Sequence, residues 1–430
     1  YHSSLVNIFL DYFLFFLFLE VSYVFCYTWE EKAKAGEGMK VKVKKRASNR
    51  LKKGYPLIQK EDLAHPQKET TQWVELVDSQ NQFIAKGYLG KQNKGIGWVL
   101  SQQNIPFDQS FFEEFFVKSK EKRTFFFSDD STTAFRIFNG EGDGIGGLIV
   151  DYYAGYAVFS WYNETLYAHR ELLIQAFREI YPEIVGGYEK IRFESVNLPE
   201  SQFIYGKEAP EPLIVKENGV KFAVYLNEGL MTGIFLDQKE VRGSLAEGFA
   251  SGKTVLNMFS YTGAFSVAAA MGGAIETTSV DLAKRSLKKT QEQFEVNGLD
   301  VDQQKIIVMD VFEYFKYAKR KQFLYDMIVL DPPSFARNKK KVFRVAKDYG
   351  ELVKDSLDIL AEDGILIAST NAANVSIEQF QTMIEEEFHA KNVSFEQLAL
   401  YRLPKDFQTT DTFLEGNYLK VFVYQIKNNH

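Results

Sequence analysis

An aspartate, two prolines, a serine and a phenylalanine stand together at Asp331-Pro332-Pro333-Ser334-Phe335. They follow Asp326-Met327-Ile328-Val329-Leu330, a run that reads as a buried strand. The prolines stop that strand, because neither has an N–H to give to a ladder. The chain is then held extended just past a strand's C-terminal end, where open α/β sheets bind ligands. Carbonyls and a carboxylate accept hydrogen bonds there and Phe335 offers a stacking face, a set that suits a flat base. The plainer reading is a strand that merely ends in prolines.

Three further motifs have the same grammar of strand, loop and helix. After an apolar run at 254–256 come Asn257, Met258, Phe259, Ser260, Tyr261, Thr262 and Gly263, and then a helical stretch at 264–271. Gly263 and Ala264 leave room for a ligand near the helix N-terminus, whose free N–H groups favour a carboxylate. The strand at 276–280 ends in Asp281, with Leu282 beside it, and a carboxylate there can grip two ribose hydroxyls. The strand at 305–309 ends in Asp310, Val311 and Phe312, which offer an acceptor and an apolar wall to an adenine. Singly, each has a bland alternative: a tight turn for the glycine, a helix cap for either aspartate. Together they fall at successive strand ends in order, which argues for one joint site.

The elements that position these loops alternate strand and helix from residue 254 onward, the pattern of a parallel sheet covered on both faces. Before them, residues 215–236 read as a hairpin, with strands at 220–226 and 232–236 and a turn at Asn227-Glu228-Gly229. Residues 107–214 read as an α+β unit with helices at 107–123 and 165–180. Within it Gly142-Asp143-Gly144-Ile145-Gly146-Gly147 matches a dinucleotide fingerprint. It precedes a strand instead of following one, and Glu141 and Asp143 would repel a pyrophosphate, so it reads as a Gly-rich turn. Residues 39–106 hold short strand-like runs at 73–77, 83–89 and 97–100, a small β-barrel.

Nine basic residues and no acidic one lie between Lys40 and Lys60. Lys44, Lys45, Arg46, Arg50, Lys52 and Lys53 among them, interleaved with Val41, Val43 and Leu51, read as a nucleic-acid-binding edge rather than a solvated tail. The chain has 430 residues and a formal net charge of −6, so any nucleic-acid site must be a local basic patch. One cysteine, Cys26, excludes intrachain disulfides and thiolate metal clusters, and five scattered histidines lack ligand spacing, so no metal site is expected. Residues 5–25 are nearly all apolar and long enough to span a bilayer, yet carry Asp11 and Glu20. The expectation is that residues 1–38 are an extension foreign to the rest, translated upstream sequence or an added segment, with Met39 the true start. The alternative is a genuine anchor or signal.

With four strand-end motifs in place, the region from 254 resembles a class I S-adenosylmethionine-dependent methyltransferase. From Met39 the chain resembles the large-subunit (23S) ribosomal RNA methyltransferases that carry an N-terminal PUA domain. Phe138-Asn139-Gly140-Glu141-Gly142-Asp143-Gly144, Thr232-Gly233-Ile234-Phe235-Leu236-Asp237-Gln238 and Gly416-Asn417-Tyr418-Leu419-Lys420 also carry that resemblance. It implies an α/β fold: a Rossmann-like seven-stranded catalytic sheet preceded by a PUA barrel and an α+β central domain. It implies S-adenosylmethionine as cofactor, contacts to it from Phe235, Asp237 and Gln238, ribosomal RNA or an assembly intermediate as partner, a cytoplasmic location, and it allows a homodimer.

One departure matters. The best-known branch resembles enzymes that make 5-methylcytosine, in which a cysteine thiolate adds to C6 and makes C5 nucleophilic. That cysteine lies just after the fifth strand. Here the strand is 364–368 and Asn371 stands at the cysteine's position, as in relatives that methylate guanine N7. No cysteine exists after Cys26. The target is then an atom that needs no covalent activation: guanine N7 first, an exocyclic amine next with Asp331 as hydrogen-bond partner or proton acceptor. Asp331, Pro332, Pro333, Phe335 and Asn371 are the candidate catalytic set, acting mostly by positioning; a turn cap is the bland role for Asn371. Lys339, Lys340, Lys341, Arg344 and Lys347 read as a basic lip for RNA phosphates or as a solvated helix face. Two rivals remain. A nicotinamide oxidoreductase would need Gly-x-Gly-x-x-Gly after the first strand, which 257–263 lacks. A non-catalytic RNA-binding assembly factor would have no reason to keep Asp281, Asp310 and Asp331.

Overall fold

The computed structural model describes residues 38–66, 72–337 and 342–427. The apolar run at 5–25, Cys26, and Lys339, Lys340 and Lys341 lie outside these residues. Among the described residues no helix is long and apolar enough to cross a membrane.

Alternating apolar residues build the first unit. Strands β1 (Met39–Lys42), β2 (Leu57–Ile58), β3 (Gln72–Val77), β4 (Phe83–Leu89) and β5 (Gly97–Ser101) pair in the order β1-β3-β4-β5-β2. Val41, Leu51, Ile58, Val74, Leu76 and Ile84 fill its core. The basic run supplies edge strand β1 and the helix Lys45–Lys52, so it is folded rather than a tail.

The second unit absorbs much of the chain's phenylalanine. Strands β6 (Ala134–Asn139), β7 (Leu148–Tyr153), β8 (Tyr156–Trp161), β9 (Gly186–Ile191) and β10 (Ser201–Gly206) form one sheet in the order β10-β9-β8-β7-β6. Side chains alternate between the two faces of a strand. One set, including Phe135, Ile137, Val150, Phe159 and Trp161, packs with Phe112, Phe116, Leu173 and Phe177 of helices Gln109–Lys122 and Arg170–Ile180. The other set, Arg136, Asp151, Tyr153, Ser160 and Lys190, faces a cavity. The expected helix at 165–180 is two helices, Glu164–Ala168 and Arg170–Ile180. His169 separates them, its ring stacked on Trp73 of the first unit at 4.5 Å.

The expected hairpin is corrected. Strand β11 (Leu213–Glu217) pairs with β12 (Val220–Val224) around Asn218 and Gly219, whose φ values of 50° and 81° are those of a tight hairpin turn. Asn-Gly is the strongest short hairpin signal. Residues 232–236 are not a strand; one bond, Tyr225 N–H to the Thr232 carbonyl at 2.8 Å, holds them near β12.

The last unit is a seven-stranded sheet: β13 (Thr254–Met258), β14 (Glu276–Asp281), β15 (Lys305–Val308), β16 (Tyr325–Leu330), β19 (Leu360–Thr370), β20 (Ser394–Tyr401) and β21 (Lys420–Lys427). A small ribbon, β17 (Phe335–Arg337) with β18 (Val342–Arg344), lies outside it. The order β15-β14-β13-β16-β19-β21-β20 reverses direction between β13 and β16, and β21 alone runs against the other six strands. Ligands bind at such a switch point, outside the strands' C-terminal ends. The second and third units are joined through buried charge. Asp406 accepts from Lys239 Nζ at 2.7 Å and from the Arg136 N–H at 2.8 Å, and its own carbonyl accepts from Arg123 at 2.7 Å.

Candidate active site

At the switch point the loop after β13 coils tightly. Phe259, Tyr261 and Gly263 all have positive φ, at 60°, 53° and 77°. A non-glycine residue held there stores about 1–3 kcal/mol, and the neighbours must fix it. Asp281 does so: its Oδ2 accepts from the Tyr261 N–H at 2.9 Å, while Oδ1 accepts from the Ala283 N–H at 2.8 Å. The Ser260 N–H reaches the Val280 carbonyl at 3.0 Å.

This loop walls a cavity of about 370 Å³. Phe235, Asp237, Gln238, Phe259, Ser260, Tyr261, Asp281, Leu282, Asp310, Val311, Phe312, Asp331, Pro332, Pro333 and Asn371 line it, together with Phe343. Five strand ends and the 235–238 segment thus meet in one place. Asp310 also caps the helix Val311–Arg320, its Oδ1 accepting from the Phe312 N–H at 3.0 Å. Phe343 was not among the expected residues. Its ring centre lies 6.2 Å from that of Phe259 and 6.1 Å from that of Phe312, so the three make an apolar slot beside Asp310.

Three of the expected cofactor contacts line neither this cavity nor its larger neighbour. Asn257 is buried beneath the loop, donating to Ser266 Oγ at 3.0 Å. Thr262 donates to the Gly233 carbonyl at 2.7 Å and so fastens the loop to the 232–238 segment. Gly263 does not clear space for a ligand: a Cβ there would lie 2.5 Å from Thr290 Cγ2, so the glycine serves helix packing and the left-handed turn.

At the cavity's inner end Gln238 Nε2 donates to Asp331 Oδ1 at 3.0 Å and to Ser369 Oγ at 2.6 Å. Burial pushes the Asp331 carboxyl up to about 6, helped by the negative charge of Asp237 and opposed by the hydrogen bond from Ser369. Burial also raises Asp237, whose Oδ2 accepts from the Tyr418 hydroxyl at 3.0 Å. Asp237 Oδ1 and Gln238 Oε1 are buried without a partner.

A larger cavity of about 570 Å³ adjoins the first. Gln92, Lys94 and Trp98 of the first unit, one face of the central sheet, and residues of the third unit line it. The two cavities share Ile234, Phe235, Asp237, Tyr261 and Asn371, which therefore form the waist between them. Asn371 Oδ1 accepts from Ser334 Oγ at 2.5 Å, which turns its amide Nδ2 away from Ser334. Phe335 lies outside this constellation: it sits on ribbon strand β17, 56% exposed, and lines neither cavity. The proline pair holds the chain extended, and Ser334 rather than Phe335 faces the chamber.

The described members of the expected RNA-binding set line neither cavity. Lys44, Lys45, Arg46, Lys52, Lys53 and Arg344 are exposed. Arg50 is engaged within its own unit, donating to Asp62 at 2.6 Å with its guanidinium 4.3 Å over the Tyr55 ring.

Comparison with known proteins agrees with this geometry. Residues 197–413 match the family described as S-adenosylmethionine-dependent methyltransferase, and residues 41–102 match a PUA-like domain. The protein YwbD of Bacillus subtilis (strain 168), whose name assigns it to the ribosomal RNA large subunit methyltransferases, is 47% identical over 90% of this chain and 99% of its own. The ribosomal RNA large subunit methyltransferase I of Aeromonas salmonicida (strain A449) is 30% identical over 82% of this chain and 90% of its own. A crystal structure of SMU.776, described as a methyltransferase complexed with SAH, superposes with a TM-score of 0.85 and 48% identity, covering 90% of this chain and all of that one.

Proposed function

This chain belongs to the S-adenosylmethionine-dependent methyltransferase family, and on that footing we propose that it methylates a base nitrogen of large-subunit ribosomal RNA, guanine N7 before any other, without a cysteine nucleophile. The cofactor supplies an activated methyl group on a sulfonium. The residues present fit it. The slot of Phe259, Phe312 and Phe343 beside Asp310 matches an adenine, and Asp281 at its rim matches a ribose diol. The orphaned oxygens of Asp237 and Gln238 are acceptors suited to an ammonium group at the other end.

The observation that carries the reading is Asn371 at the waist. A base entering from the larger cavity would meet an amide there, not a thiol. Its Nδ2 donates, so it suits a base edge with an acceptor beside the methylated atom, and guanine O6 stands beside N7. Guanine N7 holds an available lone pair, so the residues need only bring it into line and exclude water. Pro332 and Pro333 keep that wall rigid. Asp331, buried and bound to Gln238, is the group suited to hydrogen-bond an exocyclic amine, the second target in order.

The ribosomal reading rests on the names of relatives that cover 82–90% of this chain, on the PUA-like unit and on its exposed basic run; a cytoplasmic location is proposed with it. Purified protein incubated with isotope-labelled S-adenosylmethionine tests it. The substrates are large-subunit rRNA, small-subunit rRNA and tRNA, all from cells lacking the gene. Label is expected in large-subunit rRNA alone. Label confined to tRNA, or to small-subunit rRNA, would overturn the substrate assignment.

A further inference from the structure

Lys190 and Arg192 bring charge to the larger cavity, and neither forms an ion pair with a described carboxylate. Strand β9 sets Lys190 on the cavity face of the central sheet, opposite Ser160 of β8, and Arg192 follows just past the strand. The Lys190 side chain is fully buried and donates to the Gly229 carbonyl at 2.5 Å. Arg192 Nη2 donates to the Leu230 carbonyl at 2.6 Å, its Nη1 lies 3.9 Å from Met231 Sδ, and its Nε is buried with no partner. Burial first, and the neighbouring Arg192 second, pull the Lys190 ammonium down to about 8. Glu228 and Glu200 favour its charge from further off, and Glu228 is itself bound to Lys289 at 2.7 Å.

Arg136, which lines the same cavity, shows the contrast: it holds Asp151 at 2.8 Å. A staple between the central sheet and the 229–231 loop would need only neutral donors. Two adjacent, desolvated cations resting on carbonyl dipoles repel each other, and an anion between them removes that penalty. The chain as a whole is negative, so this pair is not an expression of general basicity.

We propose that Lys190 and Arg192 form the phosphate site of the substrate nucleotide, holding a backbone phosphate in the larger cavity while the attached base reaches the waist at Asn371. This rests on the reading of the substrate as an RNA base. The same two residues hold the Gly229 and Leu230 carbonyls, on the loop just before Thr232. Reaching a base in folded RNA requires extruding its nucleotide, and an anchored phosphate fixes the extruded geometry.

The test uses the full chain with SAH or S-adenosylmethionine. Lys190→Met and Arg192→Gln are each expected to raise KM for large-subunit rRNA about tenfold or more. Each should reduce the slope of log affinity against log salt by about 0.7–0.9. SAH affinity should stay within about twofold, since neither residue touches the smaller cavity. Arg192→Lys keeps the charge and should restore most of the loss; a purely structural fork would not be rescued so. Unchanged KM and salt slope alongside a lowered melting temperature would overturn the proposal. A second comparison needs no variant: guanosine 5′-monophosphate should bind the wild-type protein more tightly than guanosine, by calorimetry with SAH present. Equal binding, or none of either at millimolar concentration, would also overturn it. Should the wild-type protein place no methyl in rRNA, the substrate reading fails, while the monophosphate comparison still decides the anion site.

Discussion

Asp331 is where burial turns an ordinary side chain into a titrating one near neutrality. Its carboxyl, held near 6, is protonated in acid and an acceptor above that value. A raised folded value stabilises the fold most below the unfolded carboxylate value, and that stability is lost as pH rises through about 6. Activity runs the other way if the ionised form aids transfer. The pH dependence of kcat/KM should rise through a limb near 6, and Asp237→Asn, which removes the neighbouring negative charge, should move that limb to lower pH. A limb that stays in place would show that Asp331 ionisation does not govern the rate. Asn371→Ala should lower kcat by about 10–100-fold with SAH affinity little changed, because the losses fall on the base edge and on the exposed Ser334 hydroxyl that Asn371 accepts from. Equal loss of cofactor affinity would remove Asn371 from its place at the substrate side. Asp331 and Asn371 were legible because each follows the end of a strand and opens a loop; Asp237 was expected only through the family resemblance. Phe343 was not: it lies among lysines after the proline pair, and only the fold brings it back over Phe312.

At the scale of elements, local grammar was readable and long-range pairing was not. The strand-loop-helix repeat from 254 onward gave the strand ends that line the smaller cavity, because each functional loop is continuous in sequence. The larger cavity draws Arg136, Asp151, Ser160 and Lys190 from four strands whose register is set by pairing across the sheet. No spacing along the chain announces that face. The hairpin at 213–224 was missed although Asn218-Gly219 marks it, because the apolar residues at 232–236 imitate a strand while serving as cavity wall. Buried ion pairs now join these elements. Arg123 is fully buried and donates to Asp143 at 2.6 Å and to the Asp406 carbonyl at 2.7 Å. Arg123→Met should destabilise the fold by about 3–5 kcal/mol, because it leaves Asp143 charged and buried. Urea unfolding measures this. Lys316→Ala, which breaks an exposed pair with Glu313, serves as the control and should leave the midpoint in place. Equal effects would deny the buried node its structural weight.

As a whole molecule, three units meet at one chamber, and the division of labour follows from charge and shape. The exposed cations of the first unit sit apart from both cavities and are suited to tracking RNA phosphates, while the chamber orients one nucleotide. Neutralising Lys44, Lys45 and Arg46 together should weaken RNA binding and flatten its salt dependence, with kcat at saturating RNA unchanged. A fall in kcat instead would place those residues in the catalytic step. The account's central claim is that methyl transfer goes directly to a base nitrogen past an asparagine. Nucleoside mass spectrometry of large-subunit rRNA from cells with and without the gene tests it most directly. The account predicts that 7-methylguanosine is lost with the gene and is restored more slowly by Asn371→Ala than by the wild-type gene; loss of 5-methylcytidine instead would contradict it and require another activating nucleophile.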